Sequence, residues 1–334
     1  MRIIVLFIAL LGIALAQVYR IQLTKQGWAV FQHKLRIYKH EFAVIQDSLR
    51  KVLTRSGHWE EYAASKRQLR SAGTSLAEGA YTQKVSDYYD AEYVGDIAIG
   101  TPGQPFKFGP NEAFTSALTA TSMTGIFTND TIDGILGLAF QSIAVDNVKP
   151  PFIEAIDQKL VQQPLFTVFL ARDGPTTNAA GGVYTYGAID TLNCASQYTA
   201  YVPLSSATYY QFRLDAVYMG TYRNEKAWQA ISDTGSSLIG APPDMVQYVA
   251  SMLLAKYDPT SGLYIIPCEA TFADLALMIG GRQYDVGPEN MRFYVRVFYC
   301  PSFILGDPFI REYCQVYDVG NKRMGFVLAK QQFS

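Results

Sequence analysis

Histidine is scarce in this chain, and its distribution excludes a good deal of chemistry. Of 334 residues only His33, His40 and His58 are histidine, and none follows them. A Ser-His-Asp or Cys-His nucleophile needs a histidine base, so neither can operate in the main body. A zinc hydrolase held by histidines is excluded there on the same ground. Cysteine is nearly as rare. Cys194, Cys268, Cys300 and Cys314 allow three pairings, and their spacing fits no zinc-site pattern. Charged residues make up only 17% of the chain and nearly cancel, at a formal net of −1. Beyond residue 16 no stretch is apolar over the roughly 20 residues that a membrane span requires.

What is present begins with MRIIVLFIALLGIALA, residues 1–16. One early basic residue, an apolar run, and small residues at Ala14 and Ala16 read as a cleaved secretory signal, with Gln17 the new N-terminus. A short membrane anchor is the alternative. Secretion into an oxidising compartment favours two disulfides over metal ligation. Charge then divides the chain. Residues 1–80 hold 12 Lys and Arg against 5 Asp and Glu, leaving 16 against 24 for residues 81–334. A basic leader on an acidic body reads as a propeptide over residues 17–85, with helical periodicity at Trp28, Val30, Phe31, Leu35 and Tyr38. Acid would protonate the body's carboxylates and loosen that grip. The alternative is an amphipathic leader for membranes or nucleic acid, but the body offers no nucleic-acid surface.

The body is rich in glycine, tyrosine and phenylalanine, with 49% hydrophobic residues overall, which suits a β-rich globular protein. Residues 86–108 alternate apolar and polar around Thr101-Pro102-Gly103-Gln104, a hairpin signal. Further on, Ile231-Ser232-Asp233-Thr234-Gly235-Ser236-Ser237-Leu238-Ile239 runs an apolar strand into a carboxylate on a tight turn, ringed by hydroxyls. Two apolar-apolar-Gly segments, Ile135-Leu136-Gly137 and Ile304-Leu305-Gly306, form an internal repeat. Glycine there lets a strand pass close behind a loop.

These motifs, in this order, resemble the pepsin-like aspartic proteases. The match includes Gly95–Gln104, Asp133–Phe140, Gly181–Asp190, the Asp233 loop, Ile265-Ile266-Pro267-Cys268, Phe303–Phe309 and Gly325-Phe326-Val327. The resemblance implies an all-β, bilobal fold and peptide-bond hydrolysis at acid pH without cofactor or metal. In that family two Asp-Thr-Gly carboxylates share one proton around a water, one acting as base and the other as acid. A lone Asp, with an unperturbed pKa of about 3.9, cannot do both. Only Asp233-Thr234-Gly235 is found here, followed by Ser236; after Phe106-Lys107-Phe108 the chain reads Gly109-Pro110-Asn111-Glu112. About 60 residues are expected to be missing near Phe108–Gly109, judged from domain length, and with them the first catalytic Asp and the flap tyrosine. A second shortening is expected before Cys300.

The expected organisation is therefore a signal peptide at 1–16, a propeptide at 17–85, an incomplete N-terminal lobe at 86–180 and a C-terminal lobe at 181–334. Asp233 is the candidate catalytic residue, with Thr234, Gly235 and Ser236 as its loop. The resemblance implies the bridges Cys268–Cys300 and Cys194–Cys314. Asp133, Asp307, Asp96 and Asp130 read as turn or structural carboxylates, and Asn129 opens a glycosylation sequon. The expected partners are peptides or proteins, with no nucleic acid and no membrane after signal cleavage. The expected state is a monomer, secreted or lysosomal. Without a second acid the chain is expected to be inactive alone; a non-catalytic peptide- or inhibitor-binding homologue is the alternative.

Overall fold

The structure is a computed structural model that describes residues 80–88, 90, 92–99, 104–111, 134–144, 147–174, 177–195, 200–259, 263–267, 270–291, 296–297 and 303–331. The signal segment 1–16, the propeptide up to residue 79, Asn129, Asp130, Asp133, Cys268 and Cys300 lie outside those residues. No helix among the described residues is long and apolar enough to cross a membrane.

The first half forms β1 (Tyr81–Tyr88), β2 (Glu92–Ile99), β3 (Gln104–Asn111), β4 (Gly134–Gly137), a short helix α1 (Pro151–Asp157), β5 (Leu165–Leu170) and β6 (Thr177–Tyr186). The second half forms β7 (Ala200–Ser206), β8 (Gln211–Leu214), β9 (Ala216–Met219), β10 (Tyr222–Asn224), β11 (Trp228–Ser232), β12 (Ile239–Ala241) and α2 (Pro243–Met252). It continues with β13 (Lys256–Asp258), β14 (Leu263–Ile265), β15 (Leu275–Ile279), β16 (Arg282–Val286), α3 (Pro288–Met291) and β17 (Arg296–Val297). Last come β18 (Phe303–Leu305), α4 (Asp307–Glu312), β19 (Tyr313–Asp318) and β20 (Arg323–Leu328). The protein is all-β in character, as expected.

Fourteen strands hydrogen-bond in the order β17, β12, β18, β11, β8, β7, β20, β19, β5, β6, β1, β2, β3, β4. The order is nearly symmetric about the β19·β5 junction. Reading outward, β20 answers β6, β7 answers β1, β8 answers β2, β11 answers β3 and β18 answers β4. The senses match as well. Each answering junction is antiparallel, except that β11·β18 and β3·β4 are both parallel. A helix follows the last member each time, α1 after β4 and α4 after β18. The repeat read from two Ile-Leu-Gly segments is thus a whole-sheet repeat, the bilobal pepsin-like arrangement. Beyond β18 the second half adds β12 and β17. It also carries a separate four-stranded sheet, β10-β9-β15-β16, and the β13·β14 hairpin.

Burial explains why the halves cohere. β5 is Leu165-Phe166-Thr167-Val168-Phe169-Leu170, and all six residues are buried. Such a run suits a central strand covered on both faces. Its neighbours bring an aromatic cluster. The Phe166 and Tyr317 rings stack at 4.5 Å, and Tyr210 meets Tyr317 edge-on at 4.8 Å and Phe140 at 4.8 Å. Each such pair adds about 0.5–1.5 kcal/mol beyond its buried area. Tyr210, wholly buried, satisfies its hydroxyl by donating to the Leu138 carbonyl at 3.0 Å.

A buried cation makes a second tie. Arg311 in α4 is almost inaccessible. Its guanidinium donates to the Asp90 carbonyl at 2.7 Å and the Asn290 carbonyl at 3.1 Å. Asp87, Asp90 and Asp307 are also buried. Burial, and then the charge of Asp90 beside it, holds the Asp87 carboxyl well above the usual carboxylate range. β1 starts at Tyr81 and so crosses the 85/86 boundary drawn from the sequence, because its pairing with β6 already begins at Tyr81↔Tyr186. The 180/181 boundary likewise falls inside β6.

Candidate active site

β11 delivers Asp233. Its residues Trp228-Gln229-Ala230-Ile231-Ser232 are buried except Gln229. It runs parallel to β18, pairing Ile231 with Ile304 and Ser232 with Leu305. On the other side of β18, β12 pairs antiparallel, Ile239 with Leu305. The chain leaving β11 must therefore arch over the end of β18 to become β12. Residues 233–238 are that arch. Its underside rests on Gly306, where a Cβ would collide with the carbonyl oxygens of Ser236 and Leu238. Only glycine fits beneath the loop.

Backbone and side-chain bonds then fix the carboxylate. The Asp233 amide donates to the Leu305 carbonyl at 3.1 Å, and the Asp307 amide donates to the Ser236 carbonyl at 2.8 Å. One carboxylate oxygen of Asp233 accepts from the Gly235 amide at 3.0 Å, and the other from the Ser236 hydroxyl at 3.2 Å. Thr234 and Ser236 are buried with it. Behind the loop, the Ser232 hydroxyl shares a hydrogen bond with the Tyr317 hydroxyl at 2.8 Å and donates to Gln315 at 3.2 Å. The loop is thereby joined to the aromatic cluster.

Burial pushes the Asp233 pKa up to about 6, against the Gly235 amide and the Ser236 hydroxyl, which favour the carboxylate. Desolvation wins because two neutral donors do not replace the hydration of a full charge. Below pH 6 the group is a carboxylic acid and can donate. Above it the group only accepts.

Four expected site residues, Asp233, Thr234, Gly235 and Ser236, thus meet in one loop. Cys194 and Cys314 are bridged, with sulfurs 2.14 Å apart, which ties the segment before β7 to β19. Asp307, expected in a turn, instead opens α4 directly behind the loop. Asp96, also expected in a turn, lies on β2, paired in register with Lys107. Ser232, Gln315 and Tyr317 were not expected. Ser232 carries a hint as the polar last residue of a buried strand, but its partners lie 83 and 85 positions away, beyond any local pattern.

Comparison with known proteins agrees with this geometry. A family model described as eukaryotic aspartyl protease matches residues 110–329. Aspartic protease 6 of Caenorhabditis elegans is 34% identical over 407 residues, covering 98% of this chain and 99% of its own. Aspartic protease 1 of the same organism is 43% identical over 228 residues, 63% of this chain and 57% of its own. Pepsin A of Bos taurus is 28% identical over 369 residues, 84% of this chain and 96% of its own.

Proposed function

The chain belongs to the eukaryotic aspartyl proteases of the pepsin-like family, and from that premise we propose that it binds peptides in an acidic compartment without cleaving them on its own. One observation carries the reading. The sequence holds a single Asp-Thr-Gly, and its loop is fully assembled around Asp233. Water attack on a peptide bond needs a base and an acid together. Asp233 is one group with one pKa, about 6. At acid pH it is protonated and cannot serve as base. Near neutrality it is a carboxylate with no acid beside it in any Asp-Thr-Gly loop of this chain. As a neutral acid it still offers a hydrogen bond to a peptide carbonyl or hydroxyl.

The ligands are peptides or unfolded proteins with bulky apolar residues, and the chain is made as a secreted or lysosomal zymogen with residues 17–85 as propeptide. The expectation that it is shortened draws support from the comparison with aspartic protease 6, which extends over 407 positions where this chain has 334 residues. Sequencing the transcript across the codons for Phe108 and Gly109 tests whether this shortened form is the expressed product. A continuous, abundant message is expected; a message with extra sequence at that junction would refute it.

The functional test uses the purified full chain at about pH 4, below the Asp233 pKa. The expected result is no hydrolysis that a pepsin-type inhibitor blocks, together with retention on an immobilised transition-state-mimic peptide. Asp233→Ala should lose that retention. Inhibitable hydrolysis that Asp233→Asn abolishes would overturn the reading.

A further inference from the structure

Ser232 closes β11 one residue before Asp233, and it is fully buried together with Gln315 and Tyr317 of β19. Between β11 and β19 the sheet order places β8, β7 and β20, so this contact closes across the curled sheet instead of along it. Its hydrogens have a fixed order. The Gln315 amide nitrogen donates to the Tyr313 carbonyl at 2.6 Å, which turns the amide oxygen toward Ser232. That oxygen can only accept, so the Ser232 hydrogen goes to it at 3.2 Å, and in the 2.8 Å contact Tyr317 is then the donor to Ser232. The Tyr317 ring is itself stacked on Phe166 at 4.5 Å and meets Tyr210 edge-on at 4.8 Å. We propose that Tyr317 is a positioning residue for Asp233, acting through the chain from Tyr317 to Ser232 to Gln315.

The device is geometric. Successive side chains of a strand point to opposite faces. Ile231 accordingly packs with Ile304 and Tyr209 in a cluster apart from the main core, while Ser232 faces Tyr317. A Ser232 pinned inward fixes the pleat from which Asp233 leaves the strand, and with it the aim of the carboxyl. Apolar side chains would fill the same space without burying three polar groups. A polar chain satisfied at every step holds one geometry where an apolar contact allows several. Phe166 belongs to β5 in the first half, so the packing of that half bears on the carboxyl through one aromatic ring. Only where peptide retention is measured does this role rest on the binding reading above; the aim of the carboxyl does not depend on it.

The test is Tyr317→Phe in the full chain, which removes the O–H and keeps the ring against Phe166 and Tyr210, alongside Ser232→Ala and the double variant. Three readouts are taken: the carbon-13 titration of the Asp233 carboxyl, retention on an immobilised transition-state-mimic peptide at about pH 4, and the urea midpoint. With the loop loosened, water reaches the carboxyl. Its midpoint in Tyr317→Phe should fall from about 6 toward the ordinary 3.8, because burial is what raised it. Retention should weaken about tenfold, the scale of one misplaced hydrogen bond. The double variant should move the Asp233 midpoint no further than Ser232→Ala alone, since both residues act through one chain. A lowered urea midpoint with the Asp233 titration unmoved would overturn the proposal, because packing alone produces that result. Two shifts that simply add would overturn it too. If Tyr317→Phe does not fold, Ser232→Ala and Ser232→Thr decide. A midpoint moved by Ala and restored by Thr, which returns the hydroxyl, supports the role; one unmoved by both, or moved equally by both, refutes it. If the unmodified chain cleaves the peptide or ignores it, the binding reading falls, and the Asp233 titration still judges Tyr317.

Discussion

Replacing Asp233 by Asn should stabilise the protein, and the gain should grow with pH. The carboxyl is buried and its pKa stands at about 6 against an ordinary 3.8. Unfolding frees it to ionise at the lower value. Between those two values the unfolded chain binds fewer protons than the folded one, so stability falls as pH rises. Below pH 4 the folded state bears no penalty, and above pH 6 the penalty is complete. At 1.36 kcal/mol per pH unit the span amounts to about 3 kcal/mol. Asparagine keeps the shape. Its oxygen can accept from the Gly235 amide, and its NH2 can donate to the Ser236 oxygen, which needs only to rotate its hydrogen. Urea denaturation of both proteins at pH steps from about 3.5 to 7.5 measures the difference. The curves should coincide at the acid end and separate by about 3 kcal/mol at the neutral end, with unchanged slopes against urea. Curves that stay parallel across the range would refute the claim that burial, rather than the loop's hydrogen bonds, controls Asp233.

Three further predictions come from the packing. Gly306→Ala should destabilise by about 3 kcal/mol or more, read as a lowered urea midpoint, because two backbone carbonyls leave no room for the methyl. Replacing Cys194 and Cys314 together by Ala should cost about 4–5 kcal/mol on the chain-entropy model, since the bridge closes 120 residues; calorimetry of the two proteins checks it. Arg311→Met should cost about 3–5 kcal/mol near neutrality, as it strands buried carboxyls. That cost should shrink in acid. Asp87, with its raised pKa, is then protonated in the folded state and demands no counter-charge, so melting temperatures of variant and parent should converge as pH falls.

Much of this was legible in the sequence, for reasons that can be named. The Asp233 loop, its glycine-backed strand and the repeat of Ile-Leu-Gly are contiguous motifs with a steric cause, and the structure places them together. So was the all-β character, through the glycine, tyrosine and phenylalanine content and the alternation over residues 86–108. What could not be read were contacts between distant segments. Tyr317 touching Ser232 depends on how distant strands of the second half pack, and Arg311 touching Asp90 on how the two halves dock, and no local spacing encodes either. β1 begins at Tyr81, inside the segment read as a propeptide, where Tyr81-Thr82-Gln83-Lys84 shows no strand signal of its own and the pairing with β6 supplies the order. Asp96 looked like a turn residue beside glycine and lies in a strand for the same reason, its neighbours β1 and β3 being the stronger influence.

The position of Arg311 has a bearing on how the chain is made. It lies 221 positions after Asp90, the carbonyl of which it holds. β5, buried at all six of its residues, is closed on one side by β19, paired from Leu165↔Asp318 to Val168↔Gln315. A ribosome delivers residues in order, at about 5–20 per second. For several seconds, then, the nascent first half exists with β5 bare along one edge and with Asp87 and Asp90 still awaiting their cation. An open apolar edge is a template for strangers. A chain stopped before β19 would keep that edge of β5 open, and it is expected to aggregate rather than to form a smaller working domain.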